Sequence, residues 1–495
     1  MTARLDSDRK LAVNALDQNL TGETDPQARP ARPERGQEVE LEISSLAHGG
    51  EGVARYGDTP SGAQAAGYVV FVSGAIPGDR VRATVIKRKR NYAHARTVEI
   101  LTPSPERIPP TANHPGVAWQ VLPYERQLQI KHEQVQDALQ RIGRLDGFQL
   151  EEIVPAVAQW RYRNKLEYSF GQDENGTLVC GFHAPGGWKR VDPIEDCLLA
   201  SEVGNRAREV AFRWASEHGL RAWDRHRESV TSDVPLLRNL VVREGRHSGT
   251  LQVRLVTTDG ELDVPSLAAA LVAELGEETL SGVLWTRSAS LAETTMGGET
   301  ELVWGDAELS ERLGELDLRI SSEAFFQTNT EMAELLYGIV ADYAALEGWE
   351  RVYDLYCGLG TIALTLAPKA GELWGIEIVE QAVVDAIAAA KRNDVTSAHF
   401  FAGDARLALP ELIERAGKPD VVVVDPPRAG LSQKVVRRII DASPKRIVYV
   451  SCNPTTLAPN AAQLVEAGWR LVKVRPVDMF PQTPHIECVA LLERG

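Results

Sequence analysis

The stretch VYDLYCGLGTIALTLAPKAGELWGIE, residues 352–377, decides the fold of the C-terminal part of the chain. It contains two apolar runs that predict buried strands, and Gly358 and Gly360 lie in the turn that leads from the first strand into a helix. Such a turn lets backbone N–H groups and the helix N-terminus approach a ligand. Glu377 ends the second strand and is placed to accept hydrogen bonds from ribose hydroxyls.

A third strand end follows the same pattern. Gly403 and Asp404 follow Phe401 at the end of a predicted third strand, where a short acidic side chain can meet an adenine amine. Three matching strand ends favour an adenosine-containing cofactor over the alternative that these are merely tight turns in an α/β core.

Further strands continue this pattern toward the C-terminus. Nearly continuous apolar runs at residues 421–424 and 447–450 alternate with helical segments, which predicts a parallel sheet covered by helices on both faces. We expect an α/β domain over residues 321–495.

Composition limits the function classes. The 495 residues, of which 43% are hydrophobic, correspond to about three domains of roughly 150 residues each. No run approaches the roughly 18 apolar residues of a membrane span, and the first twenty residues carry several aspartates, so we expect neither a membrane anchor nor export. The formal charge of −15 gives no global positive field, so nucleic-acid binding has to come from local patches. Five scattered cysteines favour a reducing cytoplasm.

The N-terminal two thirds of the chain have three predicted parts. Residues 1–36 are polar and proline-rich and predict a disordered tail. Residues 37–101 contain short alternating strands separated by glycine turns, which predicts a small β-barrel. A proline-rich linker and an α+β middle domain are expected over residues 102–320.

Two residues near the C-terminus suggest a specific reaction. Cys452 follows the strand at residues 447–450, and Glu487 lies in a strand-like run that ends the chain. Taken alone, the cysteine could be a small buried apolar residue. Beside a methyl donor, however, a thiolate can add to C6 of uracil and make C5 nucleophilic, after which a carboxylate removes the C5 proton.

Five motifs in order make the chain resemble the S-adenosylmethionine-dependent RNA 5-methyluridine methyltransferases: FFQTN from Phe325, DLYCGLG from Asp354, DPPR from Asp425, SCNP from Ser451 and PHIE from Pro484. The barrel resembles the TRAM domain, an OB-type RNA-binding module that many ribosomal-RNA members carry and the bacterial transfer-RNA enzyme typically lacks.

This resemblance implies a class I Rossmann-like methyltransferase domain at the C-terminus and S-adenosyl-L-methionine as the cofactor. It also implies that Cys452 is the nucleophile and Glu487 the base. The implied cofactor site comprises Gln327, Tyr356, Thr361, Glu377, Asp404 and Asp425.

The sequence departs from many family members in its cysteines. Those members hold a four-iron cluster with three closely spaced cysteines ahead of a segment like residues 119–124, plus a fourth further on. Residues 107–118 contain no cysteine here, and Cys197 alone resembles the fourth ligand. Cys180 cannot supply the missing thiolates, so we expect no iron–sulfur cluster and no other metal.

Two basic segments are the candidate RNA contacts. Lys87, Arg88, Lys89 and Arg90 follow a barrel strand, with a solvated hairpin as the alternative. Arg161, Arg163 and Lys165 lie in a segment that also carries the rings of Trp160 and Tyr162, a pattern that suits unpaired bases and phosphates. A core strand with snorkelling arginines has the same pattern.

The sequence therefore predicts a cytoplasmic enzyme that makes 5-methyluridine in RNA, with 23S ribosomal RNA as the expected substrate and transfer RNA as the alternative. No obligate protein partner is evident. An exocyclic-amine methyltransferase, for which an aromatic ring is expected at Arg428, is a weaker alternative. An NAD-dependent oxidoreductase leaves Cys452 and Glu487 unexplained, and a non-catalytic RNA-binding protein does not account for both residues being present.

Overall fold

The computed structural model describes residues 32–57, 67–112, 114–184, 187, 190–224, 235–292 and 294–495. The predicted tail therefore lies outside the described residues over positions 1–31. At its end, Gly36 donates a backbone hydrogen bond to the carbonyl of Val85 at 2.8 Å. In the described parts of the chain, no helix combines the length and apolar character that crossing a bilayer would need.

Twenty-three strands and nine α-helices are described. The strands are β1 (Glu38–Glu42), β2 (Ser45–Leu46), β3 (Gly52–Tyr56), β4 (Tyr68–Ser73), β5 (Arg80–Arg88), β6 (Tyr92–Thr102), β7 (Gln149–Leu150), β8 (Lys165–Gln172), β9 (Leu178–His183), β10 (Val191–Pro193), β11 (Leu237–Gly245), β12 (Thr250–Thr257), β13 (Leu280–Arg287), β14 (Glu299–Gly305), β15 (Leu309–Leu313), β16 (Leu316–Ile320), β17 (Arg351–Leu355), β18 (Glu372–Glu377), β19 (Ala398–Ala402), β20 (Val421–Val424), β21 (Arg446–Ser451), β22 (Trp469–Val477) and β23 (Glu487–Arg494). The helices are α1 (Tyr124–Asp137), α2 (Glu202–Glu217), α3 (Val264–Leu275), α4 (Thr330–Ala344), α5 (Thr361–Leu366), α6 (Glu380–Arg392), α7 (Ala405–Ala416), α8 (Gln433–Ala442) and α9 (Pro454–Glu466).

The chain divides into two compact units. One unit comprises Met1–Ala156 and Val422–Gly495, and the other comprises Val157–Val421.

The first unit begins with a six-stranded sheet in the order β1-β5-β6-β4-β3-β2. In β1 the buried residues Val39 and Leu41 alternate with exposed glutamates, as the period of two predicts. These side chains join a core cluster with Val70, Val81 and Ala83. The predicted strands of this small N-terminal β-domain are confirmed.

Helix α1 follows the linker in the same unit. It continues into a wider π-helical turn over Ala138–Ile142, where the N–H of Gly143 donates to the carbonyl of Ala138 at 3.1 Å. The wider turn is a local change that a helical apolar periodicity does not encode.

The C-terminal strands of the first unit lie in the order β20-β21-β23-β22-β7. Strand β23 is antiparallel to both β21 and β22. The interior strands are buried on both faces; all four residues of β20, for example, are inaccessible to solvent or nearly so. This burial explains why they read as continuous apolar runs.

The second unit contains a seven-stranded sheet in the order β10-β9-β8-β11-β12-β13-β14 and a two-stranded sheet of β15 and β16. Its remaining strands, β17, β18 and β19, are parallel neighbours in the order β19-β18-β17. The predicted α+β pattern of the middle region and the alternating α/β pattern after it are confirmed.

Candidate active site

Cys452 lies between a strand and a helix. Strand β21 ends at Ser451, and the side chain of Asn453 caps helix α9 by accepting a 3.0 Å hydrogen bond from the N–H of Thr455. Asn453 Nδ2 also donates to the carbonyl of Arg428 at 3.1 Å. The cysteine is partly buried, and its loop is tied to the DPPR loop by this bond.

Glu487 is brought to the same edge of the sheet by strand pairing. It is the first residue of β23, and in the antiparallel pair of β21 and β23 Ser451 lies opposite Cys488. Cys452 directly follows Ser451, and Glu487 directly precedes Cys488, so both lie next to the same pair of opposed residues on neighbouring strands. The Glu487 side chain is only 5% exposed, so it is a buried acid, as a residue in a site would be.

The charges of this cluster act on one another. Burial and the nearby Glu487 carboxyl raise the pKa of the Cys452 thiol to about 12, whereas Arg428 opposes the rise. The pKa of Glu487 is held well above its usual range by burial and by Asp425, again opposed by Arg428. These directions show that Cys452, Glu487, Asp425 and Arg428 are electrostatic neighbours.

Asp425 is the second acid of the cluster. Burial raises its pKa to about 7, so its ionised and neutral forms both occur near neutral pH. A group that titrates near pH 7 in a buried cluster is typical of a functional site.

The segment that leads into Glu487 is held by helix α1. The Nζ of Lys131 lies 2.5 Å from Oδ1 of Asp478, and neither side chain is exposed. The hydroxyl of Tyr124 donates to Asp478 Oδ2 at 2.8 Å, and Gln127 Nε2 donates to Gln482 Oε1 at 2.8 Å. These bonds hold Asp478 and Gln482, which lie in the segment before the catalytic candidate Glu487.

In the second unit, three predicted cofactor residues come together. Burial and the nearby carboxylates of Asp404 and Glu377 raise the pKa of Tyr356. Glu377 ends β18, where its Oε1 accepts hydrogen bonds from the N–H groups of Ile378 at 2.8 Å and Val379 at 3.0 Å. Tyr356 has a φ of 68°, which is uncommon for a residue with a side chain and is found at functional turns.

The glycine turn between β17 and α5 leaves room for a ligand. A Cβ added to Gly358 would meet no atom within 4 Å, and the N–H of Gly358 points to Oε2 of Glu377 at 3.2 Å. Gly360 has a different reason to be glycine: its φ is 75°, and a Cβ there would lie 2.7 Å from the ring of Phe400. The open turn beside an acidic strand end fits an adenosine group.

Thr361 and Gln327 are buried, whereas Asp404 is partly exposed, and all three already have protein partners. The hydroxyl of Thr361 donates to the hydroxyl of Tyr337 at 3.2 Å, so this side chain already has a protein partner. Gln327 is 9% exposed, and its carbonyl accepts a 2.8 Å hydrogen bond from Nδ2 of Asn164. Asp404 caps α7 and forms an ion pair with Arg406 at 3.0 Å.

Comparison with known proteins identifies the class of enzyme. Residues 299–495 match the family model described as tRNA (Uracil-5-)-methyltransferase, and residues 32–98 match the TRAM domain. A Bacillus cereus protein named an uncharacterised RNA methyltransferase is 34% identical over 93% of this chain and 97% of its own length. The chain belongs to the RNA uracil-5-methyltransferase family.

Two further similarities agree with this family. A Chlorobaculum tepidum protein, also named an uncharacterised RNA methyltransferase, is 38% identical and covers 87% of this chain and 92% of its own. The crystal structure of Pyrococcus abyssi tRNA (uracil-54, C5)-methyltransferase in complex with S-adenosyl-L-homocysteine aligns with a TM-score of 0.73 and 28% identity. That alignment covers 92% of this chain and all of the other. The predicted family, the Rossmann-like methyltransferase fold, the TRAM domain and S-adenosyl-L-methionine as methyl donor are thereby confirmed.

The first basic segment of this RNA methyltransferase is at the surface of the TRAM domain. Arg88 ends β5, and Lys89 opens the turn to β6 with a 2.8 Å hydrogen bond from its N–H to the carbonyl of Tyr92. Arg88, Lys89 and Arg90 are exposed, and Lys87 is partly buried.

The second basic segment is largely engaged in internal contacts. Arg161 forms an ion pair with Asp196 at 2.8 Å, and Lys165 Nζ lies 2.6 Å from Oε1 of Glu167. Arg163 is partly buried, and the ring of Tyr162 is 1% exposed and cannot stack on a base as it stands. These contacts favour the alternative interpretation, in which this segment is part of the domain core and does not bind RNA.

The cysteines of the middle region are buried and free of disulfide bonds. Burial raises the pKa of Cys180 to about 12 and also raises the pKa of Cys197. Within the residues that the structure describes, no three histidine, cysteine or acidic side chains are grouped as a metal site would require. The absence of an iron–sulfur cluster stays a prediction.

Sequence reasoning missed two contributors to this site. Arg428 was noted only because it is not aromatic, although a cation beside the DPP turn could have indicated that it tunes the acids there. The Lys131–Asp478 pair gave no local signal, because its members are far apart in the chain.

Proposed function

We propose that this RNA methyltransferase transfers a methyl group to C5 of a uridine in 23S ribosomal RNA through a covalent adduct between Cys452 and C6. The observation that carries the proposal is the electrostatic coupling of the Cys452 thiol with the Glu487 carboxyl at neighbouring strand ends. A nucleophile and a base within one buried cluster are what addition and elimination at a pyrimidine require.

Cys452 begins the reaction. The sulfur forms a bond to C6 of the uracil, and the electrons of the C5–C6 double bond move onto the C4 carbonyl oxygen. Because burial holds the pKa of the free thiol near 12, the sulfur has to give its proton to solvent as it attacks. Arg428 supports this step, since its positive charge favours the thiolate.

Glu487 ends the reaction. C5 takes the methyl group that S-adenosyl-L-methionine supplies, and the carboxylate of Glu487 then removes the C5 proton. The C5–C6 double bond re-forms and the bond between C6 and sulfur breaks, which frees the enzyme. The raised pKa of Glu487 suits a base that must accept and later release this proton.

The cofactor is assigned to Gln327, Tyr356, Thr361, Glu377, Asp404 and Asp425. The convergence of Tyr356, Glu377 and Asp404 beside the open turn at Gly358 supports this assignment in the second unit. For Thr361, the bond to Tyr337 argues for a role in shaping the turn, so its assignment rests on the resemblance alone.

The reacting base has to be everted, because a thiol cannot reach C6 within a stacked helix. The exposed Arg88, Lys89 and Arg90 of the TRAM domain are suited to holding the surrounding phosphates. We place the enzyme in the cytoplasm, where ribosomal RNA is available and thiols stay reduced.

A uridine in transfer RNA is the second candidate substrate. The Pyrococcus abyssi enzyme is named a tRNA methyltransferase, and its alignment covers 92% of this chain. The TRAM match at residues 32–98 contains more residues than the part of this chain that the alignment leaves out, so the alignment includes part of the TRAM domain. The presence of a TRAM domain therefore does not argue against transfer RNA as the substrate.

The test is to map 5-methyluridine in ribosomal and transfer RNA from cells with and without the protein, and from cells that carry Cys452→Ala. We expect one or more sites in 23S ribosomal RNA to lose the modification in both mutant strains. Loss confined to transfer RNA would select the second candidate, and loss at no uridine would contradict the proposed function.

A further inference from the structure

The turn between β2 and β3 of the TRAM domain carries His48. The N–H of Ala47 donates to the carbonyl of Glu51 at 2.9 Å, and the N–H of Gly50 donates to the carbonyl of Ala47 at 2.9 Å. Gly49 and Gly50 have φ values of 92° and 88°, so the chain reverses tightly at this point. His48 is therefore held at the tip of a short, hydrogen-bonded turn.

This turn packs against the segment that leads into Glu487. A Cβ on Gly50 would lie 2.9 Å from Cβ of Pro484 and 3.1 Å from Nε1 of Trp119, so the glycine allows a close approach. Leu46 shares an apolar cluster with Trp119, and Gln134 Nε2 donates to the Leu46 carbonyl at 3.0 Å. All of these residues belong to the first unit, and the TRAM turn is fixed against Pro484, three residues before Glu487.

The imidazole of His48 has an unused hydrogen-bonding atom. The residue is partly exposed, but its Nδ1 is buried and has no hydrogen-bond partner among the described residues. Leaving a buried polar atom unpaired is costly, so such an atom in a native structure calls for a partner. Burial and the positive charge of Arg428 hold the pKa of His48 at about 4, so the ring is neutral at physiological pH.

Arg428 connects this histidine with the reaction centre. Its charge acts on His48 and also on Cys452 and Glu487, so one cation lies within electrostatic reach of all three. A neutral imidazole offers one donor and one acceptor, which matches the edge of a nucleobase. A phosphate would instead favour the protonated ring, which Arg428 opposes.

We propose that His48 is a substrate-binding residue that hydrogen-bonds the edge of an RNA base at or next to the reacting uridine, so that the TRAM domain supplies part of the catalytic pocket. This inference rests on the proposed function. It assigns the TRAM domain a direct part in positioning the target, in addition to any general attraction for phosphates.

The test compares three variants of the full-length enzyme. His48→Phe keeps a flat ring but removes both hydrogen-bonding atoms, His48→Gln keeps a donor and an acceptor, and Ser45→Ala alters an exposed neighbour on β2. We expect His48→Phe to raise the KM for RNA about fivefold and, when combined with Glu487→Gln, to lower the yield of the trapped covalent RNA adduct. His48→Gln should recover at least half of that loss, and Ser45→Ala should match the parent.

The affinity for S-adenosyl-L-methionine should be the same in all three variants. If His48→Phe has the parent KM and leaves the adduct yield of Glu487→Gln unchanged, or if His48→Gln is as impaired as His48→Phe, the inference is wrong. Either result would leave the proposed function intact, provided that the parent still methylates uridine and Cys452→Ala does not. Failure of the parent to methylate any uridine would instead contradict the proposed function.

Discussion

Lys131 and Asp478 form an ion pair in which Nζ and Oδ1 are 2.5 Å apart and neither side chain is accessible to solvent. The carbonyl of Phe480 accepts a further hydrogen bond from Lys131 at 3.1 Å, and Tyr124 donates to Asp478. The helix after the TRAM domain is thereby joined to the segment before Glu487. The position of the proposed base thus depends on residues more than 300 positions earlier in the chain.

Breaking this pair should destabilise the protein strongly. Lys131→Met leaves the Asp478 carboxylate buried without its cation, and we expect the free energy of unfolding to fall by about 3–5 kcal/mol in denaturant titrations. Arg141→Met is the matched control, because the Arg141–Asp137 pair is 66% and 55% exposed and should contribute less than about 1 kcal/mol. Equal stabilities of the two variants would contradict this account.

Asp425 should make stability depend on pH in an unusual direction. Its pKa is about 7 in the folded protein, whereas the ordinary value for an aspartate in an unfolded chain is 3.8. Between these values the folded protein keeps a proton that the unfolded chain has released, so this group lowers the stability as pH rises through that window.

Asp425→Asn should therefore be more stable than the parent at pH 8, by up to about 4 kcal/mol, and no more stable near pH 3.8. Thermal unfolding of both proteins across this range is the measurement, with Asp146→Asn, at an exposed position, as the control. A stability difference between Asp425→Asn and the parent that stays constant across this pH range would show that burial does not raise the pKa of the Asp425 carboxyl.

The basic turn of the TRAM domain should control RNA affinity through counterion release. Replacing Lys87, Arg88, Lys89 and Arg90 with Ala removes phosphate contacts, so RNA binding should weaken and its dependence on salt concentration should flatten. Affinity measured at several salt concentrations is the test, and the exposed Lys434, Arg437 and Arg438 of α8, replaced together, are the control. Unchanged affinity at every salt concentration would identify the turn as a solvated hairpin.

The purified protein should be colourless and free of stoichiometric iron. Cys197 and Cys180 are buried, but an iron–sulfur cubane needs more thiolates than these two can supply. Iron and sulfide analysis of anaerobically purified protein, together with its visible absorbance, checks this. About four irons per chain would overturn the prediction.

The features that could be predicted from the sequence are those whose cause is local. Strand β20 is continuously apolar because it is buried on both faces, and Cys452 was found because it directly follows a strand of this kind. Glu487 was found because an acid inside a buried strand needs a functional reason.

What could not be predicted depends on contacts between distant parts of the chain. The approach of His48 to Arg428 and the pairing of Lys131 with Asp478 are set by how the TRAM domain and α1 pack against the C-terminal strands of the first unit. Periodicity reports only which face of an element is buried, not which residue covers it. The internal ion pair of Arg161 was likewise not evident from a segment that reads as basic and aromatic.

The central claim is that Cys452 and Glu487 act in sequence on one uracil, and a denaturing gel with labelled RNA and S-adenosyl-L-methionine tests it most directly. Glu487→Gln should accumulate a slowly migrating protein–RNA band, because addition and methyl transfer proceed while the C5 proton stays and the sulfur cannot leave. Cys452→Ala should show neither this band nor any methylated product. Turnover by Cys452→Ala at the parent rate, or a Glu487→Gln enzyme that releases product normally without accumulating the band, would contradict the account.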